Sequence, residues 1–236
     1  MPRKASSAFP LQSAYTAYCI AIFTALGLTT LVVNLLLPGA RRRRRVASLL
    51  SRGFLYAARI PFTVHGAERL PQAPCVLVAN HASYIDGIVA IAALPPDFAF
   101  VVKREMVRVP VAGFLLRRLG SEFVERFDRH KGASDARRML RLAAAGQSLV
   151  FFPEGTFDER REVGRFMGGA FATAMRSQMP VVAVAIHGTR AMFPPGGLMF
   201  YRRPVRVEIL AILEADGARH RSRELIAQAL GEPLAP

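Results

Sequence analysis

From Ala5 to Ala40 the chain carries no charged side chain, and five arginines in succession, Arg41 to Arg45, end the run. Within it Ala14 to Leu37 reads AYTAYCIAIFTALGLTTLVVNLLL. As a helix this stretch would be about 36 Å long at ~1.5 Å per residue, enough to cross a hydrocarbon core with some tilt. A core helix of a soluble domain usually runs about 8 to 20 residues and shows a polar stripe. A secretory leader has a shorter apolar centre of about 7 to 15 residues, followed by small residues rather than arginines. The segment therefore predicts a membrane anchor over residues 1–40, with the arginines as its stop signal. A hairpin or half-inserted helix pair that never crosses fully fits the same residues.

The arginines lead into VASLLSRGFLYAARI, where Val46, Leu49, Leu50, Gly53, Phe54 and Ala57 recur at helical spacing. This predicts a basic amphipathic interfacial helix over residues 41–59. Nine of the 32 Lys and Arg residues lie in residues 1–60, which hold no acid, so much of the formal net charge of +15 sits there. Near anionic lipid each such arginine contributes on the order of 1 kcal/mol. No aromatic-interleaved or groove-reading motif accompanies the run, which favours an anionic phospholipid surface over nucleic acid as the partner. Positive-inside logic puts Arg41 and everything after it on the cytoplasmic side, against a weak opposing pull from Arg3 and Lys4. The expected location is a bacterial-type inner membrane with the globular part in the cytoplasm. Cys19 and Cys75 are the only cysteines, too few for a disulfide framework and without metal-ligand spacing.

From about Pro61 the texture changes to short β-branched or aromatic runs alternating with helical patterns, the signature of an α/β domain over residues 60–236. The runs are FTV at 62–64, CVLVA at 75–79, FAFVV at 98–102, EFVE at 122–125, SLVFF at 148–152, VVAVAI at 181–186 and VRVEILAIL at 205–213. They predict a mixed β-sheet of about seven strands flanked by helices. One helix is expected to start at Ser134 as N-cap and stop at Gly146, and another to cover roughly Arg219 to Leu230 before Gly231.

Chemistry enters where VLVAN runs into HASYIDGIVAIAAL, because loops at strand ends are where α/β proteins place reacting groups. Ser83 and Asp86 have capping-box-like spacing, so Ser83 is expected to start a helix with Asp86 in its first turn. His81 then lies just upstream and can fold back onto Asp86. An imidazole with pKa around ~6.5 can take the proton of an attacking hydroxyl, while a carboxylate on its other nitrogen fixes the tautomer.

NHASYIDG resembles the His-x4-Asp motif of the glycerolipid acyltransferases, the family that contains lysophosphatidate acyltransferase. GSEFVER (Gly120 to Arg126), FPEGT (Phe152 to Thr156) and PVVAVAI (from Pro180) resemble the family's second, third and fourth blocks in order and spacing. The resemblance spans roughly residues 75–190. It implies an O-acyltransferase of phospholipid biosynthesis, acting on 1-acylglycerol-3-phosphate or a similar lysophospholipid, with acyl-CoA or acyl carrier protein as donor and neither cofactor nor metal. His81 and Asp86 would be catalytic. Lys103, Arg126, Glu154, Gly155 and Thr156 would bind substrate, Arg126 gripping the acceptor phosphate and Glu154 holding an acceptor hydroxyl or Lys103. One departure bears on the acceptor: after EGT the family commonly has an arginine, and this chain has Phe157. Phosphate binding would then rest on Arg126 and Lys103, helped by Arg160 or Arg161. Another lyso-lipid, such as lyso-ornithine lipid, is an alternative acceptor. A non-catalytic module of this fold that binds an acyl carrier at the membrane is the alternative from a different class.

Overall fold

The computed structural model describes residues 8–125 and 129–236, with side chains described for 10–125 and 134–236. The chain opens with α1 (Ala8–Leu36) and α2 (Ala40–Ala57). It continues through β1 (Phe62–His65), β2 (Val76–Ala79), α3 (Asp86–Ala93), β3 (Phe98–Lys103), α4 (Ala112–Arg118), β4 (Glu122–Val124) and α5 (Arg129–Ala144). The last third holds β5 (Ser148–Phe151), α6 (Gly169–Ser177), β6 (Val181–His187), α7 (Thr189–Met192), β7 (Val205–Leu213) and α8 (Ala218–Leu230).

All seven strands form one sheet in the order β1-β7-β6-β2-β5-β3-β4. β2, β3, β4, β5 and β6 run parallel, so their carboxyl ends share one edge. β7 is antiparallel to β6 and brings β1 with it. Strands β2 and β6 are buried on both faces, as near-continuous apolar runs require. Leu77, Ala79, Val182 and Val184 face α1, α2 and α3. Val76, Val78 and Val181 face α6 and α8, and Leu149 faces Met139 of α5.

Helix α1 is long and apolar enough to cross a membrane, and it meets the domain near both of its ends. The Tyr15 hydroxyl donates to the Ala58 carbonyl at 2.9 Å, and the Gln12 amide reaches the Phe200 carbonyl. Cys19 is buried in the core cluster that holds Phe54 and Ala58. At the far end Arg118 donates to the Asn34 carbonyl at 2.8 Å, filling an acceptor that the last turn of a helix leaves open. Elsewhere along the helix Leu11, Ile20, Leu28, Leu35 and Leu36 are exposed.

Three local expectations need correction. Helix α2 buries Ala47, Phe54 and Leu55 and leaves Leu49 exposed, a different stripe from the one its apolar spacing suggests. The reason is Arg44, which turns inward because its guanidinium finds carbonyl acceptors at Leu119 (2.7 Å) and Gly120 (3.2 Å). Arg43 likewise donates to the carbonyls of Leu37 (2.7 Å) and Arg118 (2.9 Å), so two of the five arginines are structural. Helix α5 starts at Arg129 rather than at Ser134. The local signal at Ser134 yields to its neighbour Asp135, whose buried carboxylate accepts the Glu125 N–H at 2.7 Å and the Arg104 guanidinium at 2.8 Å. Ser83 does not cap α3; the bonding there runs the other way, from backbone to Asp86. The helix at the C-terminus ends at Leu230 with Gly231 in the left-handed region, as its sequence suggests.

Candidate active site

β2 ends at Ala79, and Asn80 fastens the next turn to the neighbouring strand. Its side-chain amide donates to the Ile186 carbonyl at 3.0 Å and its carbonyl accepts the Ile186 N–H at 2.7 Å. His81 follows, and Asp86 is the first residue of α3. One carboxylate oxygen, Oδ2 of Asp86, accepts three donors: His81 Nδ1 at 2.8 Å, the Ala82 N–H at 2.7 Å and the Ser83 N–H at 2.8 Å. The two backbone bonds hold the carboxylate still, and Asp86 is fully buried. Because a carboxylate can only accept, Nδ1 carries the proton and Nε2 is the nitrogen left for a substrate hydroxyl. The Ser83 hydroxyl donates to the Phe193 carbonyl at 2.6 Å, which ties this turn to the segment after α7.

Glu154 comes from the neighbouring strand's loop. In FPEG the Gly155 N–H returns to the Phe152 carbonyl at 3.1 Å, and Gly155 sits at φ 78°, a conformation natural to glycine. The turn aims the Glu154 carboxylate inward. Its Oε1 accepts the His81 N–H and its Oε2 the Gly164 N–H, both at 2.7 Å. A Cβ on Gly164 would stand 2.9 Å from Oε2, so a side chain there would push the carboxylate out of its place. Burial pushes the Glu154 carboxyl above the usual carboxylate range, against the two backbone N–H groups that favour its charge. The Gly164 carbonyl in turn accepts Arg223 Nε at 2.8 Å, and Arg223 Nη2 reaches the Val163 carbonyl at 2.9 Å. A continuous chain of hydrogen bonds thus runs from α8 to the backbone of His81. Glu154 does not hold Lys103, which lies at the end of β3 and pairs with Glu105 at 3.4 Å.

Aromatic rings wall the imidazole. Phe152 stacks on His81 at 4.7 Å between centroids, and Phe157 meets it edge-on at 4.4 Å. Phe157 also touches exposed Tyr84 at 4.7 Å. Phe152 lines, in addition, a cavity of about 210 Å³ between the sheet and helices α5 and α6, with Val101, Val124, Met139 and Met167 among its walls. Glu125, Asp135 and Arg176 line it as well, so its mostly apolar wall carries charged groups.

The remaining expected residues fall as follows. Thr156 is exposed beside Gly155. Arg126, with its neighbour Asp128, lies outside the described residues. Of the acids near it in sequence, Glu122 pairs with Arg138 at 2.7 Å and Glu125 lies 3.9 Å from Arg104. Arg160 pairs with Asp158 at 2.7 Å and Glu162 at 2.9 Å. Outside that set, His187 at the end of β6 pairs with Glu208 at 3.3 Å, and burial together with Arg206 lowers its pKa. Sequence reading singles out neither Asn80, Gly164 nor Arg223, and takes Ser83 only as a helix start. For Asn80 the available signal was its place directly before His81 at a strand end; for Arg223 there was none.

Residues 61–187 match the family model described as Acyltransferase. A chloroplastic 1-acyl-sn-glycerol-3-phosphate acyltransferase of Brassica napus is 31% identical over 161 residues, covering 66% of this chain and 46% of its own. The chain thus spans about half the length of that plant relative or less. The human 1-acyl-sn-glycerol-3-phosphate acyltransferase beta is 28% identical over 210 residues, 85% of this chain and 73% of its own. A lyso-ornithine lipid O-acyltransferase of Pseudomonas aeruginosa is 33% identical over 166 residues, 67% of this chain and 60% of its own. Among solved structures, the 1-acyl-sn-glycerophosphate acyltransferase of Thermotoga maritima superposes with a TM-score of 0.77 at 21% identity, covering 92% of this chain and 94% of its own. That likeness concerns the fold.

Proposed function

This chain belongs to the glycerolipid acyltransferase family, and we propose that it moves a fatty acyl group from a thioester onto the hydroxyl of a lysophospholipid at a membrane surface. The observation that carries the reading is the His81 Nδ1 to Asp86 Oδ2 contact of 2.8 Å, with the carboxylate immobilised by two backbone N–H groups. The acceptor hydroxyl gives its proton to His81 Nε2 as its oxygen attacks the thioester carbonyl carbon. Asp86 stabilises the imidazolium that forms. The tetrahedral intermediate then collapses, the carbon–sulfur bond breaks, and the departing sulfur takes the proton from Nε2, leaving a free thiol and an ester. His81 returns to its starting state, and no enzyme nucleophile is needed.

The mostly apolar cavity lined by Phe152, whose ring stacks on His81, offers a seat for the acyl chain. Acyl-CoA and acyl carrier protein both present such a thioester. The acceptor is of the 1-acylglycerol-3-phosphate kind, with Lys103 and Arg126 as cations for its phosphate and Thr156 at the mouth of the turn. Phe157 favours a second acceptor class, because the position beside His81 holds an apolar ring; a lyso-lipid without a phosphomonoester there, such as lyso-ornithine lipid, suits it. Helix α1 supplies the hydrophobic attachment, and Arg42 and Arg45 face an anionic cytoplasmic leaflet, while Arg41 is shared with Asp97.

Thiol release by purified protein with a panel of lysolipids tests the assignment. Acylation of at least one member, abolished in His81→Ala, is the expected result. No acylation of any member, together with binding of acyl carrier protein, would replace it with the inert module.

A further inference from the structure

Pro110, Val111 and Ala112 form a γ-turn: the Ala112 N–H returns to the Pro110 carbonyl at 2.6 Å, and Val111 sits at φ 62°, ψ −57°. This turn is rare and strained, and a β-branched side chain makes it worse, since positive φ crowds Cβ. The strain is not offset by burial within the chain, because Val111 is 55% exposed and nearby Val109 is 42% exposed. A strained, outward-facing apolar tip is the kind of outlier from which a functional hypothesis starts.

Its surroundings identify what it meets. The loop leaves the carboxyl end of β3, the same edge of the sheet from which His81 and Glu154 project. It leads directly into α4, whose last residue, Arg118, holds the C-terminal turn of α1 through the Asn34 carbonyl. Seven residues of helix span about 11 Å, so the γ-turn lies within one short helix of Leu35 and Leu36, which are 58% and 76% exposed. Arg108 and Arg117 are exposed on either side of the tip, as Arg41, Arg42 and Arg45 are beside the end of α1. Apolar points ringed by arginines match a bilayer with an anionic surface, where hydrocarbon takes the apolar groups and headgroups take the cations.

We infer that the Val109–Val111 loop is a second lipid-inserting element, continuous with the exposed face of α1, which docks the active-site edge of the sheet onto an anionic bilayer. The inference rests on the membrane reading of α1, but it adds a consequence. With two points of contact the orientation of the domain is fixed, and a lysolipid reaches His81 without leaving the bilayer.

Single cysteines carrying an environment-sensitive fluorophore test it in the full chain, since Cys19 and Cys75 are fully buried and unlabelled protein serves as the check. Three sites are compared: Val111→Cys, Leu36→Cys on α1, and Arg137→Cys on α5 across the sheet. With phosphatidylglycerol vesicles, blue-shifted emission is expected at 36 and 111 and none at 137. If 36 responds and 111 behaves like 137, the loop does not insert and the inference is wrong. If neither 36 nor 111 responds, the membrane reading of α1 falls with it. Val111→Gly adds a readout that a purely structural role would not give. Glycine relieves the positive φ, so the melting temperature should rise while vesicle affinity falls about tenfold, the contribution of one buried valine side chain. Vesicle affinity that is unchanged in Val111→Gly overturns the inference.

Discussion

Asp86→Asn separates the charge of the carboxylate from its geometry. The amide oxygen of asparagine can keep the position of Oδ2, because the Ala82 and Ser83 N–H groups accept no other orientation, and His81 Nδ1 can still donate to it. The amide nitrogen then takes the place of Oδ1, which is buried and meets no donor among the described residues. That nitrogen finds no ready acceptor, a cost of about 1 to 3 kcal/mol, or a melting temperature lower by roughly 2 to 12 °C. What is lost catalytically is the charge beside the imidazolium. For unit charges near 4 Å apart at an effective dielectric of 20 the interaction is about 4 kcal/mol, so turnover should fall by about 10³-fold. The half-saturation for lysolipid should stay within about twofold, since the charge acts on the transition state. Asp86→Ala removes all three bonds and orphans two buried N–H groups, a stability cost of about 2 to 6 kcal/mol. Continuous thiol release at saturating acceptor, alongside thermal melting, measures both quantities. Folded Asp86→Asn protein that turns over within tenfold of the parent would refute the role given to the pair.

Three other outcomes follow from the same structure. Arg42→Glu with Arg45→Glu should weaken binding to anionic vesicles in a salt-sensitive way and spare the melting temperature; Arg43→Ala with Arg44→Ala should lower the melting temperature, because their carbonyl partners are left unpaired. Glu154 has a folded pKa raised by burial, so its contribution to stability is fully present below the ordinary glutamate value and is lost as pH rises through the raised one. The melting temperature of the parent relative to Glu154→Gln should therefore fall as pH climbs from about 4 toward 7, and a pH-independent difference would contradict the burial argument. Phe157→Arg should shift preference toward lysophosphatidate by about one to two powers of ten, at the cost of the ring contacts with His81 and Tyr84, and unchanged acceptor ranking at unchanged stability would show that this ring does not set specificity.

The sheet was legible because its central strands are short apolar runs, and burial on both faces leaves such runs few other places to go. The contact between His81 and Asp86 was legible for a different reason: five residues of spacing around a strand end bring the two side chains within reach of one another. The bonding inside that turn was not. Spacing alone cannot tell whether Ser83 caps toward Asp86 or Asp86 accepts from Ser83, because both use the same residues and differ only in which group has another partner; here the Ser83 hydroxyl is drawn to the Phe193 carbonyl, 110 residues away. The arginine run fails in the same manner. Five equal cations read as one surface, yet Arg43 and Arg44 are claimed by backbone carbonyls of residues 37 and 118–120, acceptors that every sequence contains and none displays. Arg223 makes the point most sharply. It reaches His81 through the Val163 and Gly164 carbonyls and the Glu154 carboxylate, so its part in the site belongs to the closeness of two backbones, which the fold creates after the local patterns have had their say.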